Sequence, residues 1–314
     1  MKSIRRVMVT GAAGFIGSHV AIEVAARGYS VVAVDCFLED SYSSALKRSR
    51  FSNLAAYSNI ELIEQDLRER NLTKLPDKVD AIINEAAMPG LMKSWDDFNL
   101  YASCNLLTVD NLMQYSMRSG VSKFVQISTS SVYGRDAIGD ELQETKPTSP
   151  YGVSKLAAEK LVLAYLENFD VPSTILRYFS VYGPGQRPDM AYHKFIKAGL
   201  LGEVIDVYGD GLQSRTNTFV ADCVQGTVDA LSVAAVGEIY NISGLHRLTV
   251  NEALTIIQNH LGTERRIEYH DARPGDQRET QGLIAKASND FGYNPKTGPI
   301  EGLARQIEWQ RALY

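Results

Sequence analysis

The chain has 314 residues, of which 45% are hydrophobic and 22% are charged, and its formal net charge is −5. This length suits one large globular unit or two interleaved ones with an ample core. The acidic balance excludes the basic surface of a nucleic-acid-binding protein, and no segment has the eighteen or so apolar residues of a membrane span, so we expect neither partner.

Short β-branched runs alternate with longer segments whose apolar residues recur every three or four positions. The predicted strands lie at 7–10, 31–35, 60–64, 81–84, 124–128 and 173–177. The predicted helices between them lie at 15–27, 98–118 and 151–168. This rhythm is typical of a Rossmann-type α/β fold with a doubly wound parallel sheet.

The rhythm breaks at a glycine- and proline-rich stretch, YGPGQRPD, at 182–189. Beyond it, the pattern predicts a helix over 221–234 and a strand over 238–242 that rejoins the sheet. We therefore expect a nucleotide-binding domain and a smaller, mixed α/β C-terminal substrate lobe. The domain would comprise 1–178 plus 219–244, and the lobe 179–218 plus 245–314.

Cysteine and histidine spacing argues against disulfides and metal ions. Cys36, Cys104 and Cys223 are odd in number and widely separated, which indicates reduced thiols in a cytoplasmic protein. The five histidines and the cysteines show no ligand spacing, so we predict no metal. His193 is expected on the surface of a helix.

The first strand runs into a G-x-x-G-x-x-G loop made by Gly11, Gly14 and Gly17, and then into a helix. The glycines permit a tight turn, the approach of backbone amides to a pyrophosphate and close packing of the helix. Asp35 ends the second strand 18 residues after Gly17. A carboxylate there accepts a hydrogen bond from an adenosine ribose and repels a 2′-phosphate, which favours NAD over NADP.

Three cations follow the second strand, and a cation near the ribose would favour a 2′-phosphate instead. They are Lys47, Arg48 and Arg50. We expect them to form a solvated helix face, so NAD remains the predicted cofactor.

Tyr151 and Lys155 follow Ser149 and Pro150, a pair that suits a helix start, so their side chains should stack one turn apart. A phenol has a pKa of about 10 in water, and a neighbouring ammonium together with an oxidised nicotinamide would lower it toward neutrality. Such a tyrosine takes a proton from a sugar hydroxyl and returns it. Thr129, at the end of a strand, would meet Tyr151 at the same oxygen.

Several stretches carry a resemblance to a known family: TGAAGFIG from residue 10, STSSVYG from 128, SPYGVSK from 149 and RYFSVYGPGQRPDMA from 177. Over nearly the whole chain they resemble the sugar-nucleotide branch of the extended short-chain dehydrogenase/reductase family. The resemblance implies tightly held NAD and a nucleoside-diphosphate sugar as substrate. It also implies a homodimer formed through the helices at 98–118 and 151–168.

The resemblance assigns individual roles. Thr129 would hydrogen-bond the reacting hydroxyl, Tyr151 would act as the base, and Lys155 would bind the nicotinamide ribose. Asp66 would contact the adenine, and Asn105 would line the cofactor site. The expected cofactor-binding residues are Gly11, Gly14, Phe15, Ile16, Gly17, Asp35, Lys47, Asp66, Leu67, Ala86, Ala87, Asn105, Ser128, Tyr151, Lys155 and Tyr178.

The residue types at positions 130 and 131 distinguish the reactions of the family. By the same resemblance, all of these reactions begin with hydride transfer from C4 to give a 4-ketosugar. By resemblance, a 4,6-dehydratase carries an Asp-Glu pair at these positions, and UDP-glucuronate decarboxylases commonly carry a glutamate in place of Ser131. Neutral hydroxyls at both positions disfavour acid–base elimination and decarboxylation. A 4-epimerase remains, in which the ketone turns over and hydride returns to the other face.

The stretches AAMPG at 86–90 and RPDMA at 187–191, together with STSSVYG, most resemble UDP-glucuronate 4-epimerases. Hydroxyls and Arg187 would hold the uronate carboxylate in an orientation that suppresses loss of CO2. Arg215 and Arg273 would bind the diphosphate. The expected substrate-binding residues are Pro89, Thr129, Ser130, Ser131, Ser180, Arg187, Arg215, Arg273 and Asp276.

Two other functions stay open. The first is 4-epimerisation of neutral UDP-glucose or UDP-N-acetylglucosamine, which would also accept hydroxyl contacts. The second is a cofactor-sensing protein that binds NAD but has an inactive site. The sequence determines neither the nucleotide base nor the pathway.

Three departures from the family pattern bear on these alternatives. Met92 stands where some relatives carry an arginine near the carboxylate, and RTNTFVAD at 215–222 alters the nucleotide wall. Glu85 stands where relatives carry an apolar residue beside the cofactor. Its pKa is expected to be raised if it is buried.

Overall fold

The structure, a computed structural model, describes residues 4–39, 42–264 and 266–314. The strands in chain order are β1 Arg6–Thr10, β2 Ser30–Asp35, β3 Ile60–Glu64, β4 Ala81–Asn84, β5 Lys123–Thr129, β6 Asp136–Ala137, β7 Ser173–Tyr178, β8 Val181–Tyr182, β9 Ile205–Tyr208, β10 Ser214–Thr216, β11 Thr218–Phe219, β12 Ile239–Ile242, β13 Arg247–Thr249, β14 Ile267–His270 and β15 Glu279–Thr280. The helices are α1 Phe15–Ala26, α2 Ser44–Asn53, α3 Lys93–Asp96, α4 Phe98–Ala102, α5 Thr108–Ser119, α6 Pro150–Phe169, α7 Ala191–Leu201, α8 Val220–Val233, α9 Val250–Leu261, α10 Ala285–Phe291 and α11 Pro299–Arg311.

Within the described ranges, seven strands form a parallel sheet in the order β12-β7-β5-β4-β1-β2-β3. Alternate residues of its strands enter opposite cores: Val7 and Val9 pack with α1 and α8, whereas Met8 packs on the side of α5 and α6. Strands covered on both faces read as continuous apolar runs, which is why the sequence reveals them. The predicted strands are confirmed with ends within one residue, and β12 rejoins the sheet as predicted.

The sheet places the functional region at one edge. The strand order reverses between β1 and β4, so the connections after these two strands leave toward opposite faces of the sheet. A crevice opens at such a point beyond the carboxyl ends of the strands. The glycine loop after β1, the segment after β4 and the hydroxyl run after β5 all lie at this edge.

The helix predicted over 98–118 is interrupted, which corrects the sequence prediction. A π-helical turn, Ser103–Leu107, separates α4 from α5. Within it, the Asn105 amide accepts from the Met88 N–H at 2.7 Å and donates to the Met88 carbonyl and the Ser154 hydroxyl. These tertiary hydrogen bonds stabilise the wider turn, and hydrophobic periodicity carries no signal for them.

Smaller sheets build the second lobe in the described part of the chain. Strands β13, β10, β15 and β6 form one, β11 pairs with β8, and β14 pairs with β9. Strand β6 follows the hydroxyl run directly and pairs with β15, so the chain crosses to this lobe at the functional edge. Every helix described is too short or too polar to span a bilayer.

A buried ion pair joins α6 to β7. Arg177 donates from Nε and NH2 to the Glu159 carboxylate at 2.9 and 2.7 Å, and both side chains are almost wholly inaccessible. The Ser128 hydroxyl of β5 donates to the same carboxylate at 2.5 Å. Two charges taken out of water depend on each other, because neither can be solvated if its partner is lost.

Replacing Arg177 with leucine is expected to lower the free energy of unfolding by about 3 kcal/mol, because it leaves the Glu159 charge buried and unpaired. Urea unfolding followed by circular dichroism measures this change. Lys146→Leu is the matched control, because Lys146 pairs with Glu144 where both side chains are exposed, and it should change stability by less than about 1 kcal/mol. Equal effects of the two substitutions would contradict a structural role for the buried pair.

Candidate active site

A cleft of about 710 Å³ opens at the carboxyl edge of the large sheet. Its lining includes every residue that the sequence predicted for cofactor or substrate, with the exception of Asn105. Asn105 lies just behind the lining, where it ties the Met88 backbone to the Ser154 hydroxyl. Asn105 therefore supports the cleft wall and does not line the cleft itself.

The glycine loop forms the floor of the cleft. Gly11 has a φ of +63°, a left-handed conformation that favours glycine, and its carbonyl accepts from the Gly14 N–H at 2.9 Å. A Cβ at Gly17 would overlap the Gly11 carbonyl oxygen. The first turn of α1 thus packs directly on the loop, which leaves the helix N-terminus open to an anion.

Asp35 fixes the far end of the loop. Its two carboxylate oxygens accept from the Ala13 N–H at 2.9 Å and the Phe37 N–H at 2.8 Å. Burial raises the pKa of Asp35, while these hydrogen bonds and the Lys47 charge act to lower it. The carboxylate holds further lone pairs at the cleft wall, which suits a ribose diol and opposes a phosphate.

The cations after β2 do not form the solvated face that the sequence predicted. Lys47 is buried, donates to the Leu38 carbonyl at 2.5 Å and lies over the Tyr42 ring, while Arg50 donates to the Gly185 carbonyl at 2.8 Å. Only Arg48 of the three is largely exposed, and it pairs with Glu64. Long cationic side chains bury their apolar stems readily, and here the heads reach carbonyl acceptors that the helical pattern does not reveal.

Tyr151 lies in the first turn of α6, which begins at the Ser149 cap: the Ser149 hydroxyl accepts from the Gly152 N–H at 3.1 Å. The Tyr151 hydroxyl hydrogen-bonds Thr129, and its ring packs edge-on against Tyr101. Burial raises the pKa of Tyr151, and the Thr129 hydrogen bond and the Arg187 charge only partly oppose this. The lowering that the sequence predicted is therefore outweighed by desolvation in the protein alone.

Lys155 lies one turn along α6 from Tyr151, as predicted. Its Nζ donates to the Ile127 carbonyl of β5 at 2.6 Å. Burial lowers the pKa of Lys155 to about 8, while the charges of Glu85 and Glu159 act to raise it. The ammonium keeps other donors for a ligand in the cleft.

The hydroxyl run has unequal partners. Ser128 is committed to Glu159, and the Ser130 hydroxyl donates to the Gln277 side chain at 3.3 Å. Thr129 accepts from the Ser131 N–H at 3.2 Å and lies 3.3 Å from the Ser131 hydroxyl. Ser128 thus serves the fold, while Thr129 and Ser131 remain beside Tyr151.

The three predicted arginines all line the cleft, and Arg187 lies near enough to Tyr151 for its charge to act on the phenol. Arg187 donates to Asp189 through Nε and NH2 at 2.9 and 2.7 Å, so a carboxylate of the protein already neutralises it. Arg215 donates to the Gln277 carbonyl, and Arg273 lies over the Tyr208 ring at 3.4 Å. The charges of Arg215 and Arg273 both lower the pKa of Asp276, whose burial raises it.

A family model described as the NAD dependent epimerase/dehydratase family matches residues 7–243. The chain belongs to this family. An uncharacterised UDP-glucose epimerase of Bacillus subtilis (strain 168) is 37% identical over 313 residues, covering 98% of this chain and 99% of that protein. A UDP-glucuronate 4-epimerase of Thermodesulfobacterium geofontis (strain OPF15) is 31% identical over 310 residues, covering 97% of this chain and 95% of that protein.

A solved structure agrees with the family assignment. The crystal structure of UDP-glucuronic acid 4-epimerase from Bacillus cereus, in complex with UDP-glucuronic acid and NAD, is 36% identical to this chain. It matches with a TM-score of 0.95 over 98% of this chain and 100% of that chain. The match to this epimerase structure thus covers both the large sheet and the second lobe.

The cleft fits the NAD of the epimerase/dehydratase family. A Cβ at Gly14 or Gly17 would overlap the Gly11 carbonyl, so the loop packs closely at the start of α1, and the Asp35 carboxylate at the cleft wall suits a ribose and opposes a phosphate. Asp66 lines the same wall, held by two-pronged hydrogen bonds from Arg68 that lower its pKa. The residues that would hold NAD are therefore in place.

Sequence reasoning missed several residues of the epimerase site. Gln277 donates to the Ser130 and Gly134 carbonyls at 3.2 and 2.8 Å and so holds the hydroxyl run. A glutamine beside the predicted Asp276 was the available signal. Other lining residues that the sequence did not single out include Tyr42, Arg68 and Lys194.

The histidines lie outside the cleft. His193 is buried, contrary to prediction, because the turn before α7 and the C-terminal Tyr314 supply partners for both ring nitrogens. Ligand atoms of Asp206, Glu268 and His270 lie within 4.8 Å of one another on the exposed β9–β14 pair. Glu268 and His270 lie two residues apart on β14, whereas Asp206 lies on β9, so spacing along the chain did not reveal the group. Exposed acidic groups of this kind are common without an ion.

Gly17→Ala should abolish retention of NAD, because the added Cβ overlaps the Gly11 carbonyl and displaces the start of α1. The cofactor released from purified, denatured protein is measured by chromatography and compared with wild type. Gly298→Ala is the matched control, since a Cβ at Gly298 meets nothing within 4 Å. Normal NAD content in folded Gly17→Ala protein would contradict the close packing.

Proposed function

We propose that the protein is an NAD-dependent 4-epimerase that converts UDP-glucuronate to UDP-galacturonate. The observation that carries the proposal is the hydroxyl pair Tyr151–Thr129 beside Lys155, with serines and no carboxylic acid at 130 and 131. Residues 1–178 plus 219–244 would bind the cofactor, and 179–218 plus 245–314 the UDP-sugar.

The chemistry divides between cofactor and protein. Bound NAD supplies the hydride acceptor and donor for C4 of the sugar. Tyr151 takes the proton of the C4 hydroxyl as the hydride leaves, and returns it to the C4 oxygen when hydride comes back on the other face. Thr129 hydrogen-bonds Tyr151, and the Arg187 charge favours its phenolate. The atoms therefore balance without a further reactant.

The neutral groups beside C4 decide what happens to the ketone. Elimination across C5 and C6 needs a base and an acid, and Ser130 and Ser131 supply neither. Decarboxylation needs the carboxylate bond aligned with the ketone, and hydroxyl donors that hold the carboxylate elsewhere suppress it. Ser131 and Ser180 line the cleft, and we expect their hydroxyls to make this contact. The ketosugar is then left to rotate and be reduced again.

A second candidate is a 4-epimerase of neutral UDP-glucose. The Arg187–Asp189 pair favours it, because the cation expected for a uronate is already neutralised. Met92 also leaves one expected arginine absent from the site. The two relatives named above as UDP-glucose and UDP-glucuronate epimerases support one candidate each.

We propose a homodimer formed through α4, α5 and α6. Phe98, Leu107, Met117, Val153 and Phe169 expose large apolar side chains on or between these helices. Exposed large apolar side chains on these helices favour a protein interface. The free thiols of the chain support a reducing, cytoplasmic location.

Purified protein with no added NAD should convert UDP-glucuronate to UDP-galacturonate, followed by NMR of the sugar, without release of CO2 or pentose. A pentose product would contradict the proposed hold on the carboxylate. Turnover of UDP-glucose or UDP-N-acetylglucosamine alone would move the assignment to a neutral substrate. No turnover of any sugar by NAD-loaded protein would support the sensor instead. Tyr151→Phe is the control, with NAD retained and turnover reduced by at least about 100-fold.

Leu107→Asp is expected to shift the protein from a dimer to a monomer of 34.7 kDa, because it places a charge in the apolar interface. Sedimentation velocity measures the mass. Leu142→Asp is the control, since Leu142 is 91% exposed and lies outside these helices. A wild-type protein that sediments as a monomer would overturn the dimer.

A further inference from the structure

Glu85 is the acidic side chain that the proposed chemistry does not use. It follows the last residue of β4 and lines the cleft. The register pairs Asn84 with Gln126, so one further step sets Glu85 beside Ile127 of β5. The Ile127 carbonyl is the acceptor that holds the Lys155 ammonium at 2.6 Å. The Glu85 backbone therefore lies next to the residue whose carbonyl accepts from Lys155, and the Lys155 charge acts on Glu85 without a direct hydrogen bond between the two described side chains.

Apart from Lys155, the described groups that act on Glu85 or are acted on by it are hydroxyls and a thiol, none of which carries a positive charge. Tyr178 of β7 donates to its carboxylate at 2.8 Å and lies 2.6 Å from the Thr227 hydroxyl of α8. Together with burial, the charge of Glu85 raises the pKa of both Tyr151 and Cys223. Lys155 is the cation whose charge acts on Glu85.

The hydroxyl chain behind Glu85 accommodates either form of the carboxyl group. With Glu85 ionised, Tyr178 donates to it and Thr227 donates to Tyr178. With Glu85 protonated, the chain reverses and ends at the Cys223 carbonyl, which lies 2.8 Å from the Thr227 hydroxyl. Each hydroxyl contributes one proton in both directions, so the chain sets no charge on Glu85.

The other carboxylate near Lys155 is already committed. Among the described residues, the carboxylates whose charges act on Lys155 are Glu85 and Glu159. Glu159 receives two hydrogen bonds from Arg177 and one from Ser128. Its charge is therefore largely compensated, whereas no cation hydrogen-bonds Glu85 in the described structure.

We propose that Glu85 is the counter-ion of Lys155, a positioning residue that keeps the lysine ammonium charged within the buried cleft. Removal from water alone favours neutral forms of both groups. Burial raises the pKa of Glu85 to about 7 and lowers that of Lys155 to about 8, and the charge of each opposes the shift of the other. The charge of each group therefore favours the ionised form of the other against the effect of burial. This role concerns the charge of the site and does not depend on which sugar is bound.

The test follows the titration of Lys155 directly. NAD-loaded protein labelled with 13C at the lysine ε-carbon is titrated by NMR, and the Lys155 resonance is assigned by its loss in Lys155→Arg. In Glu85→Gln, which keeps an acceptor for Tyr178 but removes the charge, the Lys155 midpoint should fall by about one pH unit. The alkaline limb of the pH–rate profile should move down by the same amount.

Two further variants separate charge from packing. Glu85→Asp retains the charge and should keep the Lys155 midpoint near the wild-type value. Thr227→Val removes a hydroxyl of the chain with little change of shape and should leave the midpoint in place. An unchanged midpoint in Glu85→Gln, or an equal fall in Thr227→Val, would overturn the counter-ion role and leave the proposed epimerase activity untouched. If Glu85→Gln does not fold, Glu85→Asp provides the test. A fall of about one pH unit in its Lys155 midpoint, although the charge is retained, would also overturn the counter-ion role.

Discussion

The buried Glu159 carboxylate organises the site, because three elements meet on it. Arg177 of β7 and Ser128 of β5 both donate to it, while Glu159 itself belongs to α6, the helix that carries Tyr151 and Lys155. An unpaired charge there would cost several kcal/mol, so the three elements cannot separate independently. The distance between the hydroxyl run and the Tyr–Lys pair is thus fixed by a buried ion pair of Arg177 and Glu159, neither of which lines the cleft.

Desolvation then sets the chemistry of the groups so arranged. The same burial raises the pKa of Tyr151 and Glu85 and lowers that of Lys155. A neutral phenol is a poor base, so the cleft works only if compensating charges are present. Arg187 supplies one for Tyr151, and Glu85 is placed to maintain that of Lys155. These charges therefore favour the phenolate of Tyr151 and the ammonium of Lys155, and a bound cationic nicotinamide would favour the phenolate further.

The sequence predicts the large sheet and the residues of the cleft well, because both have local signals. Strands buried on both faces are continuous apolar runs, and the glycine loop, STSS and YGVSK are contiguous motifs. It fails where long-range contacts decide the outcome. The π turn at Asn105, the burial of Lys47 and His193, and the role of Gln277 all depend on partners distant in the chain. Burial, which raises the pKa of Tyr151 in the protein alone, likewise cannot be read from a motif.

Substrate choice depends on how one arginine is shared. Arg187 meets Asp189 with two hydrogen bonds and also lowers the pKa of Tyr151. A uronate carboxylate that replaced Asp189 would have to match this geometry, and it would leave the Asp189 carboxylate without its two hydrogen bonds from Arg187. A uronate held by neutral hydroxyls leaves both interactions intact. The serines at 130 and 131 thus supply no acid or base for elimination, and the Ser131 hydroxyl would give a uronate carboxylate a contact that leaves Arg187 beside Tyr151.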